Sequence, residues 1–179
     1  MQNVRHRQPA VAGACRGELF LDGGTVLTQG SGDGMGLTTR EELVLALNRL
    51  GSPEVVHFDA TTDPPSADGE YVPIYLGFSD HMSVSSAYWR LLRAGRVACS
   101  SFDHGKSLGQ IKLDAVAQLR DATMGKICRS IELDGRADDL SLYFDGDVCL
   151  IAFGFRALFE DWEIRLPSGL SYWSNQLDF

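Results

Sequence analysis

The sequence predicts an α+β fold with a largely antiparallel β-sheet, or a partly open barrel, built from two related β-hairpin units and two helices. Three observations predict it. The first is a pattern that occurs twice, 66 positions apart: Ile74, Leu76 and Phe78 alternate with other residues, as do Leu140, Leu142 and Phe144. Ser79-Asp80-His81 interrupts the first run before Met82 and Val84 resume it, and Asp145-Gly146-Asp147 interrupts the second before Val148 and Leu150. Period-two alternation puts these apolar side chains on one face of a strand, and Asp-Gly is a strong hairpin-turn signal. The second observation is that a tryptophan follows each hairpin, Trp89 and Trp162. The third is that two stretches, and no more, carry apolar residues at helical spacing.

Taken in order, residues 1–36 read as an N-terminal arm. Glu18 to Thr28 has the pattern of a hairpin about Asp22-Gly23-Gly24, and Gln29 to Gly36 is a glycine-rich linker. Residues 37–179 read as a single α+β domain. Thr38-Thr39-Arg40-Glu41 has the form of a capping box, opening a helix over 39–50 with Leu43, Leu47 and Leu50 along one side. Gly51-Ser52-Pro53 stops it. A strand is expected over 54–59 and a proline-rich loop over 61–70.

The first repeat unit, 71–102, holds expected strands at 72–78, 82–91 and 96–101. A second helix follows over 114–124, with Leu113, Val116, Ala117 and Met124 on its apolar side, Leu119 flanking and Arg120 interrupting. Gly125 is its expected stop. The second unit, 126–169, holds strands at 126–133, 139–144, 148–154 and 159–166. Pro167-Ser168-Gly169 turns the chain into a last strand, Leu170 to Trp173, which makes nine strands.

At 179 residues the chain suits one domain, or one domain with an appendage. Its 16 basic and 24 acidic residues leave a net charge of −8, which repels phosphate backbones, so no nucleic-acid partner is expected. A basic partner protein fits that charge. The four cysteines, Cys15, Cys99, Cys128 and Cys149, form no C-x-x-C pair and read as buried thiols of a reducing compartment. No metal and no cofactor is expected. The apolar stretch Ala10 to Ala14 is too short for a signal-peptide core, and no run is long enough to span a membrane. The expected location is the cytoplasm.

Several strings invite catalytic readings. Gly105-Lys106-Ser107 resembles the end of a phosphate loop, but Ser100 stands where that loop needs glycine. Gly30 to Gly36 alternates glycines, with Met35 where a dinucleotide loop needs the third. Asp103 and His104 could act as an acid–base pair only in a loop, because adjacent strand residues face opposite ways. Glu160, Asp161 and Glu163 bracket Trp162, and an exposed acidic sheet face accounts for them as well as a pair of catalytic carboxylates does. His57 and Asp59 would share a strand face without a third metal ligand. Trp89 and Trp162 read as core anchors.

From about Val72 to Gly169 the chain resembles the small acidic α+β proteins encoded beside bacterial toxin genes as immunity or accessory proteins. The resemblance rests on the hairpin ending at Trp89-Arg90, the segment Ser100 to Gly105, the helix from Asp114-Ala115-Val116 to Gly125-Lys126, and the closing Glu160-Asp161-Trp162 and Pro167-Ser168-Gly169. It implies binding rather than catalysis. On that reading, Asp134, Asp138, Asp139, Asp145 and Asp147 gather at the turns of the second unit and would meet a basic partner surface. The alternative is a small-molecule-binding protein or hydrolase with a pocket between helix and sheet, lined by Asp103, His104 and Glu160. A third reading is a homo-oligomer formed through an exposed strand edge.

Overall fold

The computed structural model describes residues 40–61, 71–134, 138–154 and 161–174. The chain separates into residues 1–34 and 35–179, and every described residue belongs to the second unit. The expected hairpin at 18–28, the glycine-rich linker and Thr38 of the capping box lie outside the described residues, as do Cys15 and Glu160.

Helix α1 (Arg40–Leu47) turns Leu43 and Leu47 inward and leads to strand β1 (Val55–Ala60). Strands β2 (Ile74–Phe78) and β3 (Ser83–Ser86) form the first hairpin, followed by β4 (Trp89–Arg93) and β5 (Arg96–Ser100). A short ribbon, β6 (Ser107–Leu108) and β7 (Ile111–Lys112), precedes helix α2 (Ala115–Thr123). Then come β8 (Cys128–Leu133), the second hairpin β9 (Leu140–Phe144) and β10 (Val148–Ala152), and finally β11 (Trp162–Arg165) and β12 (Ser171–Trp173).

The strands form two five-stranded antiparallel sheets, ordered β1-β2-β3-β11-β12 and β5-β4-β10-β9-β8, which do not close into a barrel. With the ribbon β6–β7 set aside, the described chain therefore runs α-β-β-β-β-β twice, and β4 and β5 of the first half join the sheet that the second half begins, as β11 and β12 of the second half join the sheet that the first begins. What reads as one strand over 82–91 is two, because the chain leaves one sheet after Ser86 and enters the other at Trp89. The ribbon β6–β7 is additional to the nine expected strands; two residues per strand are too few to show a period.

The repeat extends to individual hydrogen bonds. Val55 pairs with Phe78 and Cys128 with Phe144, and a register shift follows at the same point of both strands. The amide of Ser79 donates to the Glu54 carbonyl at 2.9 Å, and that of Asp145 to the Ile127 carbonyl at 3.2 Å. The Trp89 indole donates to the Val72 carbonyl at 2.7 Å, and the Trp162 indole to the Asp138 carbonyl at 2.7 Å. Each tryptophan amide also donates to a serine hydroxyl, Ser101 at 3.4 Å and Ser174 at 3.3 Å. Both tryptophans are fully buried, so these bonds spare polar groups that would otherwise lie unsatisfied in the core. Glu54 bridges Ile127 where the two halves meet.

One hydrophobic core takes side chains from both sheets and both helices. Phe78 and Phe144 hold matched places in it, at 3% and 4% exposure. Helix α2 differs from expectation in its phase. Ala115, Leu119, Ala122 and Thr123 are its buried face, at i, i+4, i+7 and i+8, while Val116 and Ala117 are half-buried and Met124 is exposed. Arg120 then lies outside the stripe, with its guanidinium 5.2 Å from the centre of the Phe58 ring. Asp114 caps this helix by accepting from the Ala117 amide at 2.9 Å. No helix among the described residues is long and apolar enough to cross a membrane.

Candidate functional site

The five aspartates expected to form one face do not gather. Asp134, Asp138 and Asp139 lie where β8 passes to β9, and Asp145 and Asp147 lie at the turn from β9 to β10. Strand β9 separates the two groups by five residues, or roughly 17 Å. Several are also engaged within the chain. Asp138 accepts from the Arg40 guanidinium at 2.8 Å, and the same guanidinium reaches the Asp134 carbonyl. Asp145 accepts from Arg129 Nε at 2.6 Å. Asp147 adopts a left-handed backbone (φ 56°), and its carbonyl accepts from the Ala94 amide. Burial pushes the Asp139 carboxyl upward; the Gly154 amide and Arg90 oppose this, and Asp134 and Asp138 reinforce it.

Asp103 and His104 do not face each other. One Asp103 carboxylate oxygen accepts from the Ser100 amide at 2.8 Å and from the Ser100 hydroxyl at 2.7 Å, closing the turn after β5. His104 points its Nδ1 to within 3.4 Å of the Asp114 carboxylate at the start of α2. Cavities between α1 and β8, of about 140 and 220 Å³, are lined by neither residue. No group of three or more metal-ligating side chains occurs among the described residues.

The outer face of the sheet β1-β2-β3-β11-β12 brings together residues that sequence reasoning left scattered. Strand pairing puts Asp59 opposite Tyr75, Tyr75 opposite Ser85, Ser85 opposite Glu163 and Glu163 opposite Trp173. The result is one row across five strands with a carboxylate and an aromatic ring toward each side. The adjacent row is His57, Gly77, Ser83, Arg165 and Ser171. Its centre is low: Gly77 has the His57 Cβ only 3.1 Å from where a Cβ of its own would stand, and Ser83 is its partner on the other side. The His57 and Tyr75 rings meet edge to face at 5.7 Å and wall one side of this trough. At its end an open cleft of about 200 Å³ is lined by Ser85, Ser86, Ala87, Asp161, Glu163 and Trp173 among others. The Arg165 guanidinium stands 3.6 Å from the Glu163 carboxylate, a long pair between an exposed arginine and a half-buried glutamate.

The other sheet carries the equivalent row with different chemistry. Pairing there aligns Glu132, Ser141, Ile151, Arg90 and Ser100. Tyr75 is thus matched by Ser141, Ser85 by Ile151, Glu163 by Arg90 and Trp173 by Ser100. The sequence carried one sign of this: the residue after each core tryptophan is Arg90 in one copy and Glu163 in the other. No family model, no curated protein and no solved structure matches the chain.

Proposed function

We propose that the chain is a non-enzymatic binding protein of the bacterial immunity or accessory type, acting in the cytoplasm, which docks a basic partner protein through an acidic face. The observation that carries this reading is the cross-strand row Asp59–Tyr75–Ser85–Glu163–Trp173 on the outer face of the sheet, with Asp59 and Tyr75 exposed and Ser85, Glu163 and Trp173 half-buried. Carboxylates beside tyrosine and tryptophan combine long-range attraction with the residue types that anchor protein interfaces. The net charge of −8 adds a field that draws in a basic surface. Asp134 and Asp147, at opposite ends of the second hairpin, contribute to that field rather than to one contact patch.

The test is co-production with each protein encoded beside its gene, followed by association kinetics at several salt concentrations. Asp59→Lys with Glu163→Lys should slow association more than it speeds dissociation, and the effect should shrink as salt screens the exposed charges. An association rate indifferent to both the substitutions and salt refutes the acidic docking face.

A further inference from the structure

The duplicated fold supplies its own control for the cleft beside Trp173. In the second sheet the matched site is occupied from within: the Arg90 guanidinium lies 5.6 Å from the centre of the Phe153 ring, close enough to Asp139 to oppose the rise of its carboxyl. Phe153 and Ala87 are matched residues, since the Phe153 amide donates to the Tyr88 carbonyl as the Ala87 amide does to the Asp161 carbonyl. In the first sheet, Glu163 stands where the second sheet has Arg90, Ala87 where it has the Phe153 ring, and Ser85 where it has Ile151. Tryptophan stands in place of Ser100. The same backbone holds a self-filled guanidinium site on one side and, on the other, a cleft of about 200 Å³ with a ring and a carboxylate at its wall.

From this we infer that the cleft lined by Ser85, Glu163 and Trp173 receives an arginine side chain of the partner, the guanidinium stacking on Trp173 and bonding the Glu163 carboxylate. The inference rests on the docking reading above and names the group that reading leaves open. Two features favour arginine over lysine. A planar guanidinium stacks on an indole face and presents a fork to a carboxylate, where an ammonium is a hydrated point charge. The internal counterpart is itself an arginine on an aromatic ring. The small residues Gly77, Ser83 and Ser85 leave room for a backbone to cross the sheet beside the cleft. Backbone geometry does not demand serine at 83 and 85, because Cys149 and Ile151 take the matched positions of the other sheet, whereas the nearby His57 Cβ already favours glycine at 77. On binding, Glu163 exchanges its long contact with Arg165 for the incoming group.

The chain has three tryptophans, and Trp89 and Trp162 are buried with their indoles bonded to carbonyls. Indole N–H signals of the full ¹⁵N-labelled chain therefore report the cleft through Trp173 alone, assigned by its loss in Trp173→Phe. The probe is acetyl-Gly-Arg-Gly-amide, with the lysine and citrulline peptides beside it. The Trp173 signal should shift saturably with the arginine peptide, more weakly with lysine and not with citrulline. Glu163→Gln should weaken binding by about tenfold or more, the loss expected for a charged hydrogen bond. Ser85→Ile, which installs the side chain the other sheet carries at the matched site, should fill the cleft and abolish the shift while leaving the thermal midpoint near that of the parent.

No saturable shift, equal shifts with citrulline and arginine, equal affinity for lysine, or a Ser85→Ile variant that binds as before would each overturn the assignment. If partner association still depends on Glu163 and salt while the arginine peptide leaves Trp173 unmoved, the guanidinium site fails and the acidic docking face stands.

Discussion

Burial pushes the Cys128 thiol up to about 12 and the Cys99 thiol up to about 11, with nearby Asp80 and Asp103 adding smaller repulsions. Both exceed the ordinary value of 9.0, so above that pH the unfolded chain gives up protons that the folded chain retains. The sign follows from linkage: stability is unaffected by these thiols below about pH 9 and falls as pH rises from there toward the folded values. Replacing Cys128 with alanine should therefore flatten the loss of unfolding free energy between pH 8.5 and 10.5, read as the difference between variant and parent denaturation midpoints. An unchanged slope would mean that this thiol is not held protonated. In a Cys15→Ser background at pH 8, a thiol reagent should modify the half-buried Cys149 well before Cys99 and Cys128, because the thiolate is the reacting form.

The hairpins bear the matched phenylalanines, and each ring fills the core where its strand begins the turn. Phe78→Ala and Phe144→Ala should each cost about 3–5 kcal/mol, measured by denaturant unfolding. A loss below about 1 kcal/mol in either would show a site that collapses freely. These hairpins, both tryptophan anchors and the two helices were legible in the sequence because each rests on local periodicity. The rest was not, for identifiable reasons. The stretch over 82–91 carries no glycine or proline at Ser86-Ala87-Tyr88, so nothing local marks the passage between sheets. Leu113 and Met124 draw the apolar stripe of α2 toward Val116 in the sequence, whereas packing selects Leu119 and Ala122. The row from Asp59 to Trp173 depends on which strands pair across the two halves, β11 with β3 above all, and no local pattern names a distant partner strand. The acidic turns of the second unit looked like one cluster because they are near in sequence; a strand's length holds them apart.

At the scale of the whole molecule, exchange of the last two strands makes each sheet a joint product of both halves. Strand β4 enters the second sheet beside β10, and β11 enters the first beside β3, so neither sheet reaches five strands without residues from each half. The two halves are further tied where the Val55 amide donates to the Lys126 carbonyl and the Gly125 amide to the Val55 carbonyl. Two independent domains would let a lesion in one leave the other intact; here a defect in either hairpin removes the support of strands that begin in the opposite half. Residues 40–174 should accordingly unfold as one cooperative unit. Substituting Phe78→Ala in the first half should lower the midpoint reported by tryptophan signals from Trp89, Trp162 and Trp173 equally, and Phe144→Ala should do the same. The single-tryptophan variants needed for that comparison keep an aromatic ring at each site, Trp→Phe, to limit damage to the core. If the Trp173 probe kept its midpoint while the Trp89 probe lost its own, the halves would be energetically separate, and strand exchange would be a matter of connectivity alone.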